Sequence, residues 1–415
     1  MSFAALAYTV WAIEIFNMHL VEPKTVPSLN LEANHAIWQL PFRSFFITGI
    51  LFSSVSIMVW LLILTGKLTL VHQVLPRVIW HAHEMIFGFA MLMAVGFVLT
   101  AAKTRKYVSC IKGIPAGLLL AIWGVIRIAL FINSQLSVKL AIALTLVWWL
   151  AIVLIYSHIV LSTKNKRDYI FISIFCVLAS FDLATLSFST IGETSLALHF
   201  TRAAVLMFSI LISIIYGRVI TLFIIQNSNT KPYKHILWVE KLLLPTAVTG
   251  ISVFIIGYFI ELPITPAMLM TTAGCLHLLR ISKGLSLKAL MLPLLWVLNI
   301  SYAFMGLGLI TLGLSYGIDS ITFSTASHLI TVGSTGLIII AMMSHVQLGY
   351  SSQLALVKPQ ILAAFIMIFT ASILLFTLSK LGYQLIACVF SAGLWCLSFI
   401  TFFLTFWPVQ SKPRH

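Results

Sequence analysis

A short polar run, Trp80-His81-Ala82-His83-Glu84, interrupts an apolar stretch of this chain. Imidazole is the commonest protein ligand for transition metals, and a carboxylate beside it can orient the ring or exchange a proton. His81 and His83 point about 200° apart on a regular helix, so they do not readily bind one metal together. His81 and Glu84 are three residues apart and share a face. The run therefore predicts metal or cofactor ligation by the histidines, with Glu84 as a candidate catalytic proton donor.

Other ionisable residues also lie inside apolar segments, where each costs at least a few kcal/mol and is a functional candidate by default. They are Arg127, Asp182, His199, Arg202, Arg218, His277 and His328. Membrane-embedded glutamate and lysine, which are common in ion-coupled transport, are nearly absent. The set therefore favours metal or cofactor ligation, with His199, His277 and His328 as further candidate ligands. Arg127 and Arg202 are open to two interpretations, ion pairs with Asp182 or Glu84, or contacts with an anionic cofactor.

The elements that position these residues are predicted to be membrane-spanning helices. The chain has 415 residues, of which 60% are apolar and 8% charged, against roughly 25% charged residues in soluble domains. Continuous apolar runs favour helices over a barrel, whose strands would alternate. At about 20 residues per span, we predict an all-α transmembrane bundle of about twelve spans. They lie at about 45–65, 80–101, 114–133, 138–161, 169–189, 198–225, 241–260, 263–281, 289–312, 320–345, 360–379 and 382–407.

The basic residues predict how the bundle is oriented. Eighteen Lys and Arg residues lie in the N-terminal segment, the even-numbered loops and the C-terminal tail, whereas four lie on the other side. The positive-inside rule therefore predicts that both termini are cytoplasmic. The formal net charge of +15 is then mainly a topology signal, and we expect a lipid bilayer, with no nucleic acid, as the partner.

Three regions follow from the span prediction. Residues 1–44 form a cytoplasmic or interfacial segment, 45–407 the twelve-span domain and 408–415 a short cytoplasmic tail. Residues 2–16 are too short to span and are expected to form an interfacial helix. Five cysteines without a CxxC pair indicate no disulfide or zinc framework. By this topology the outer half gathers His81, His83, Glu84, Arg127, His199, Arg202 and His328, whereas His277 lies near the cytoplasmic end of span eight.

The run from Trp80 to Phe89, continuing through Gly96-Phe97-Val98-Leu99-Thr100-Ala101, closely resembles the signature of the NnrS family. The resemblance covers roughly residues 40–355. Supporting matches are Pro41-Phe42-Arg43-Ser44-Phe45-Phe46, Trp123 with Arg127, Gly217-Arg218-Val219-Ile220, His277 with Arg280, Leu294-Leu295-Trp296 with Tyr302, and His328 through Gly333 to Gly336. The resemblance implies a twelve-span protein of the bacterial inner membrane that takes part in the nitric oxide response and contains haem and copper.

The same resemblance implies roles for the matching residues. Metal ligation falls to His81, His83, His277 and His328, and Arg43, Arg127 and Arg218 in the matching motifs become candidate cofactor ligands. Outside those motifs, the positions of His199 and Arg202 within spans make His199 a further candidate metal ligand and Arg202, like Arg127, a candidate contact for haem propionates. The family pattern usually has histidine where this chain has Asn299, and an amide is a poor haem or copper ligand. The resemblance therefore supports haem b more firmly than copper.

The sequence does not decide what a bound haem would do. A haem iron with a free axial position would bind nitric oxide as ligand or substrate, whereas an iron with two imidazoles would carry electrons. Reductase-like turnover, sensing and protection fit the same residues, and neither the electron donor nor the oligomeric state follows from the sequence. A secondary transporter is the alternative from another class. Against it stand the lack of obvious duplication between the halves and the few acidic residues.

Overall fold

Membrane-length helices account for nearly all of the described backbone. The computed structural model describes residues 38, 41–69, 74–103, 113–163, 165–227, 236–282, 293–350 and 358–410. These residues form twelve helices, numbered α1 to α12, and no strand. Ten of them are α1 (Pro41–Leu64), α3 (Ile114–Ile132), α4 (Gln135–Thr163), α5 (Tyr169–Thr190), α6 (Thr194–Asn227), α7 (Leu237–Ile256), α8 (Pro266–Ser282), α9 (Pro293–Leu314), α11 (Pro359–Lys380) and α12 (Gln384–Gln410). The other two are composite, α2 (Arg77–His83, Glu84–Ala90 and Met91–Lys103) and α10 (Phe323–His328, Leu329–Thr335 and Gly336–Tyr350).

Each predicted span coincides with one of these helices, so the all-α membrane bundle is confirmed. Eleven of the described helices are long and apolar enough to cross a membrane. The remaining helix, α8, has 17 residues and rises about 26 Å, slightly less than the hydrocarbon thickness. The cytoplasmic location of the termini stays a prediction. The interfacial helix predicted at residues 2–16 and most of the basic loop residues lie outside the described part of the chain.

The helices belong to two compact units, which are described separately. The first unit comprises Met1–Ser53, Thr69–Thr201 and Phe406–His415, and the second comprises Ser54–Leu68 and Arg202–Thr405. The first contains α2 to α5 and the second contains α7 to α11. Each unit therefore has one of the two composite helices.

In the first unit, α2 changes its winding directly after His83. Residues Glu84–Ala90 form a π-helix, in which each turn holds one residue more than usual and carbonyl groups lose their regular partners. The indole Nε1 of Trp123 donates a hydrogen bond of 3.2 Å to the carbonyl oxygen of Gly88 within this segment. A side chain at Gly88 would be 2.7 Å from the ring of Phe52, so glycine allows the neighbouring helices to pack closely here.

In the second unit, α10 also changes from an α-helix to a π-helix, directly after His328. Its π-helix, Leu329–Thr335, also begins directly after a histidine, and glycine again follows five positions later, at Gly333. Ser301 Oγ on α9 donates to the Ser334 carbonyl oxygen at 2.8 Å. π-Helical turns are rare and occur often at functional sites. The two histidines at these junctions are therefore the first places to look for a site.

Two glycines bring α8 and α9 unusually close together. A Cβ atom at Gly274 would lie 2.5 Å from the carbonyl oxygen of Gly306, and one at Gly306 would lie 3.0 Å from the carbonyl oxygen of Gly274. Helices in membranes commonly use small residues for such backbone contact. Three residues after Gly274, His277 faces Tyr302 of α9 across this contact.

Candidate functional site

The first unit contains a buried set of side chains that we name the α2 cluster: His83, Glu84, Arg127, Trp149 and Asp182. His83 is fully buried, and its Nε2 lies 2.7 Å from Oδ1 of Asp182. Trp149 Nε1 donates to the other oxygen of Asp182 at 2.8 Å. Arg127 Nη1 donates to Oε1 of Glu84 at 3.0 Å, and the same oxygen is 3.5 Å from Nδ1 of His83. Four helices, α2 to α5, therefore meet at these polar groups.

The charges of the α2 cluster explain this arrangement. Two carboxylates and one guanidinium sum to a charge of −1, and apolar surroundings disfavour an unbalanced charge. One additional proton, held between His83 and Asp182, brings the total charge of the cluster to zero. The ring of His83 would have to leave Asp182 before Nε2 could bind a metal. This geometry supports a proton-holding role for His83 more directly than metal ligation, which stays a prediction.

Of the two interpretations that the sequence allows for Arg127, an ion pair and a cofactor contact, the structure shows the ion pair. Its guanidinium lies against Trp123, 5.7 Å from the ring centroid, and bonds Glu84. Gly88 lies one turn beyond Glu84, and a Cβ atom there would be 3.0 Å from Nη1 of Arg127. Glycine at this position therefore lets the guanidinium reach the carboxylate.

We expect Trp149→Phe to lower the free energy of unfolding by about 1.5–3 kcal/mol, because it removes a hydrogen bond to a buried charged carboxylate. Trp148→Phe is the matched control, since Trp148 is also buried but its indole donates to a neutral backbone carbonyl, that of Leu119, at 3.2 Å. The control should lose about 0.5–1.5 kcal/mol. Denaturation in mixed detergent micelles compares the two, and equal losses would show that the bond to Asp182 is no stronger than an ordinary bond from indole to a carbonyl.

The second unit contains a second buried set, which we name the α9 cluster: Ser213, Tyr216, Glu240, His277, Arg280, Asn299 and Tyr302. Arg280 forms two parallel hydrogen bonds with the carboxylate of Glu240, from Nε at 2.7 Å and from Nη2 at 2.6 Å. Its Nη1 donates to the carbonyl oxygen of Ser213 at 3.0 Å and to the hydroxyl of Tyr302 at 2.9 Å. The guanidinium thereby joins α6, α7, α8 and α9.

His277 reaches this cluster through Tyr302. Its Nδ1 lies 2.7 Å from the Tyr302 hydroxyl oxygen. The ring of Tyr216 stacks on that of Tyr302, with centroids 3.7 Å apart and planes 10° from parallel. Tyr216 donates to Oδ1 of Asn299 at 2.7 Å, and the Asn299 amide donates to the Leu295 carbonyl at 3.0 Å. Both polar atoms of the Asn299 side chain therefore belong to the hydrogen-bond network of the cluster.

Two placements of the hydroxyl hydrogen fit these distances. Arg280 can only donate, so the Tyr302 oxygen accepts its hydrogen bond. The Tyr302 proton then goes either to Nδ1 of His277, at 2.7 Å, or to Oγ of Ser213, at 3.1 Å. The first placement puts the ring hydrogen of His277 on Nε2. The second puts it on Nδ1 and leaves Nε2 as a lone pair.

For the ring of His328, only one placement of the hydrogen fits the surroundings. Its Nδ1 lies 2.6 Å from the carbonyl oxygen of Ser324, one turn earlier in α10. A carbonyl oxygen accepts and never donates, so Nδ1 carries the hydrogen and Nε2 of the neutral ring has a lone pair. Thr322 begins this short helix by accepting a hydrogen bond of 3.1 Å from the backbone N–H of Thr325. His328 is therefore held as an imidazole with a free ligand nitrogen.

Arg202 lies against the same short helix. Its guanidinium carbon is 4.7 Å from the ring centroid of Phe323, the first residue of α10. In the loop before α10, burial raises the pKa of the Tyr316 phenol, and the positive charge of Arg202 opposes that shift. Arg202 and His328 thus lie beside or within one six-residue segment, Phe323–His328.

The remaining predicted site residues take varied positions. His81 is half-buried on α2, whereas His83 two residues later is fully buried. His199 is buried and its ring packs edge-on against Phe200. Arg43 is buried on α1, and Arg218 is half-buried on α6. Within the described residues, no three His, Cys, Asp or Glu side chains come together as a metal site.

Several residues of the two clusters are not indicated by the sequence. Glu240 falls one residue before the predicted start of span seven, so it is not among the predicted site residues. Its rarity could have indicated it, because the chain has only ten acidic residues. An acidic residue at the end of a membrane span needs a partner for its charge. Trp149, Ser213 and Tyr216 carry no comparable signal, since tryptophan, serine and tyrosine are common in membrane helices.

These helices and their buried polar clusters define a polytopic helical membrane protein with ionisable groups in its interior. A protein-family model described as NnrS protein matches residues 36–414. Because the match covers nearly the whole chain, the chain belongs to the NnrS family, as the motif around His83 predicted. No curated protein matches the chain.

Proposed function

We propose that this protein is a haem-binding protein of the bacterial inner membrane that binds nitric oxide, and that His328 would hold the haem iron through its imidazole. The observation that carries the proposal is the hydrogen bond from Nδ1 of His328 to the Ser324 carbonyl, 2.6 Å long. Histidines that bind metals usually donate their other ring N–H to a carbonyl or a carboxylate in this way. The bond orients the ring and leaves Nε2 as the ligand atom.

Arg202 supports the same site. A bound haem presents two carboxylates at one edge, and arginine binds carboxylates through paired N–H donors. The guanidinium carbon of Arg202 lies 4.7 Å from the ring centroid of Phe323, and a cation–π contact of this kind leaves N–H donors for a carboxylate. Arg127 is less suited to this role because it already bonds Glu84 at 3.0 Å. Arg202 is therefore the better propionate ligand of the two arginines.

The donor set favours haem over copper. The porphyrin supplies four nitrogen ligands, so haem needs only one or two from the protein. A copper site needs several protein donors, and none of the described residues form a group of three. Asn299, where the family pattern has histidine, uses its amide oxygen for Tyr216. Copper is therefore not part of the proposed site.

When bound, the haem supplies an iron that can take nitric oxide as a ligand. Nitric oxide is small and uncharged and enters hydrocarbon directly, so the site needs no water-filled channel. Glu84 is the candidate proton donor, held by Arg127 at 3.0 Å and buried with His83. If the protein reduces nitric oxide, this carboxyl group and His83 hold the proton that such a reaction consumes.

Absorption spectra of the purified protein test the proposal. We expect a Soret band that shifts when nitric oxide is added to the reduced protein. His328→Gly should lose most of the haem, and added imidazole should restore it by occupying the vacated ligand position. Arg202→Gln should weaken haem binding without abolishing it. His158→Ala is the matched control, since His158 is exposed on α4 and should not affect haem content.

Two negative results have different meanings. A wild-type protein without a Soret band would exclude the haem function. A His328→Gly variant that keeps its haem without imidazole would refute only the ligand assignment. His81, His199 and His277 would then be tested in turn.

A further inference from the structure

The helices α10 to α12 repeat the arrangement of the helices α2 to α4. Each set begins with a composite helix whose π-helical part follows a histidine. The next helix has proline in its first turn, Pro115 in α3 and Pro359 in α11. A tight turn with a left-handed residue then leads into the last helix, Asn133 with φ 56° in one set and Gly382 with φ 90° in the other. The two sets therefore follow one plan, and positions in one can be matched to positions in the other.

The glycines of the two π-helices, Gly88 and Gly333, have matching neighbours. Each lies five residues after its histidine, and at each a Cβ atom would be 2.7 Å from a phenylalanine ring of the preceding helix. The other neighbour comes from the following helix. It is Nη1 of Arg127, 3.0 Å from a Cβ atom at Gly88, and Oγ of Ser372, 2.6 Å from a Cβ atom at Gly333. Ser372 therefore has the place in the second set that Arg127 has in the first.

The matched positions differ in charge. Arg127 donates to Glu84 at 3.0 Å, whereas the residue at the matching position of α10 is the apolar Leu329. Ser372 is 1% exposed, and its hydroxyl has no hydrogen-bond partner among the described residues. Ser334 of the π-helix is also fully buried, and its hydroxyl is likewise unpaired within the described part of the chain. The second set therefore has two unpaired hydroxyl groups in a region where the first set has an ion pair.

Unpaired hydroxyl groups are unusual in this segment of α10. Thr331 and Thr335 donate to carbonyl oxygens of their own helix, at 3.2 Å to Ser327 and at 3.0 Å to Ile330. Serine hydroxyls can form such bonds too, and a buried hydroxyl without a partner destabilises the fold. In membrane proteins with internal repeats, irregular helices in corresponding positions commonly form the binding site. A bound ligand would give both serines the partner that the described part of the chain does not supply.

We propose that Ser334 and Ser372 bind an uncharged molecule of two or three atoms that accepts hydrogen bonds from both hydroxyl groups. An ion does not fit, because Leu329 and Ser372 stand where the first set has its carboxylate and guanidinium, and a buried ion needs an opposite charge. The close packing at Gly333 limits the size of the ligand, since Ser372 Oγ and a phenylalanine ring fill the space for a side chain there. A small uncharged molecule reaches the site through hydrocarbon, so the site needs no water-filled path.

Infrared spectroscopy of the full-length protein in detergent, equilibrated with nitrous oxide, tests the proposal. Nitrous oxide is a linear uncharged molecule with an acceptor atom at each end, and its stretching frequency depends on its surroundings. We expect a band of bound nitrous oxide that is resolved from the bands of the gas dissolved in water and in detergent. Ser334→Ala and Ser372→Ala should each shift or weaken this band, and the double variant should lose it.

Ser398→Ala is the matched control, since Ser398 is also buried but its hydroxyl already donates to the Ala364 carbonyl oxygen at 2.8 Å. It should keep the band. Under argon the variants should also differ in thermal stability. Ser372→Ala should raise the unfolding temperature, because it removes an unpaired buried hydroxyl, whereas Ser398→Ala should lower it.

The proposal is independent of haem, and the test separates the two. His328→Gly should lose the haem but keep the nitrous oxide band. If the band disappears together with the haem, the gas binds at the iron and not at the serines. A wild-type protein without a separate band, or a double variant that keeps it, would overturn the proposal. A lower unfolding temperature of Ser372→Ala under argon would also overturn it, because the hydroxyl would then already have a partner such as a water molecule.

Discussion

Replacing Glu240 with alanine is expected to lower the free energy of unfolding by about 3–5 kcal/mol, the usual cost of removing one partner of a buried ion pair. Arg280 is buried, with its side chain 8% exposed, and Glu240 is its only carboxylate partner among the described residues. Without Glu240 the buried guanidinium keeps its charge but loses the carboxylate that balances it. Alanine also removes both hydrogen bonds to Nε and Nη2. Denaturation in mixed detergent micelles measures the loss.

Lys241→Ala is the control for this prediction, because Lys241 is the next residue and is exposed. Its effect should stay within about 0.5 kcal/mol. The double variant Glu240→Leu with Arg280→Met removes both charges and should recover most of the stability. If Glu240→Ala costs no more than Lys241→Ala, the ion pair does not stabilise the fold and the α9 cluster needs another explanation.

Replacing Gly274 with alanine is expected to cost about 3 kcal/mol, at the upper end for overpacking. The atom that the new methyl group would meet is the backbone carbonyl oxygen of Gly306, 2.5 Å away. A backbone atom of a packed helix cannot turn aside as a flexible side chain can, so α8 and α9 must separate. That separation would also lengthen the distance between His277 and Tyr302, now 2.7 Å.

Gly393→Ala provides the comparison, since Gly393 lies within α12 and a Cβ atom there would meet nothing within 4 Å. This substitution should be neutral or stabilise the protein by up to about 1 kcal/mol, because alanine favours the helix more than glycine does. Thermal unfolding of both variants in the same detergent measures the difference. Equal stability in Gly274→Ala and Gly393→Ala would contradict the close contact between α8 and α9.

The helices could be predicted from the sequence because hydrophobic length alone selects them. A run of about 20 apolar residues must form a helix in a bilayer, where every backbone N–H and C=O needs an internal partner. The predicted span 114–133 and the observed Ile114–Ile132 differ by one residue. The shorter α8, Pro266–Ser282, was also anticipated as a span.

The π-helices of α2 and α10 could not be predicted in this way. Their one additional residue per turn leaves composition unchanged, and a hydropathy window averages over it. Yet these turns determine where His83 and His328 point, because each added residue rotates the preceding part of the helix by about 100°. The motif around His83 therefore identified the right segment of the chain without revealing its local geometry.

The pairing of charges was the second matter that the sequence left open. Arg127 and Arg202 looked alike as intramembrane arginines, and either one fitted an ion pair or a propionate contact. Arg127 bonds Glu84, whereas the contact observed for Arg202 is with the ring of Phe323. Partners that lie 43 residues apart along the chain, as Glu84 and Arg127 do, meet only when helices pack.

The class of this protein, the twelve helices of its described residues and its family all follow from the sequence, because hydrophobic length and a long motif are local properties of the chain. The partner that each buried polar residue meets follows only from the tertiary structure. His83 faces Asp182, His328 bonds its own helix, and His277 faces Tyr302. The physical reason is that a buried polar group takes its role from the partner that satisfies it. In a membrane helix bundle that partner usually comes from another helix.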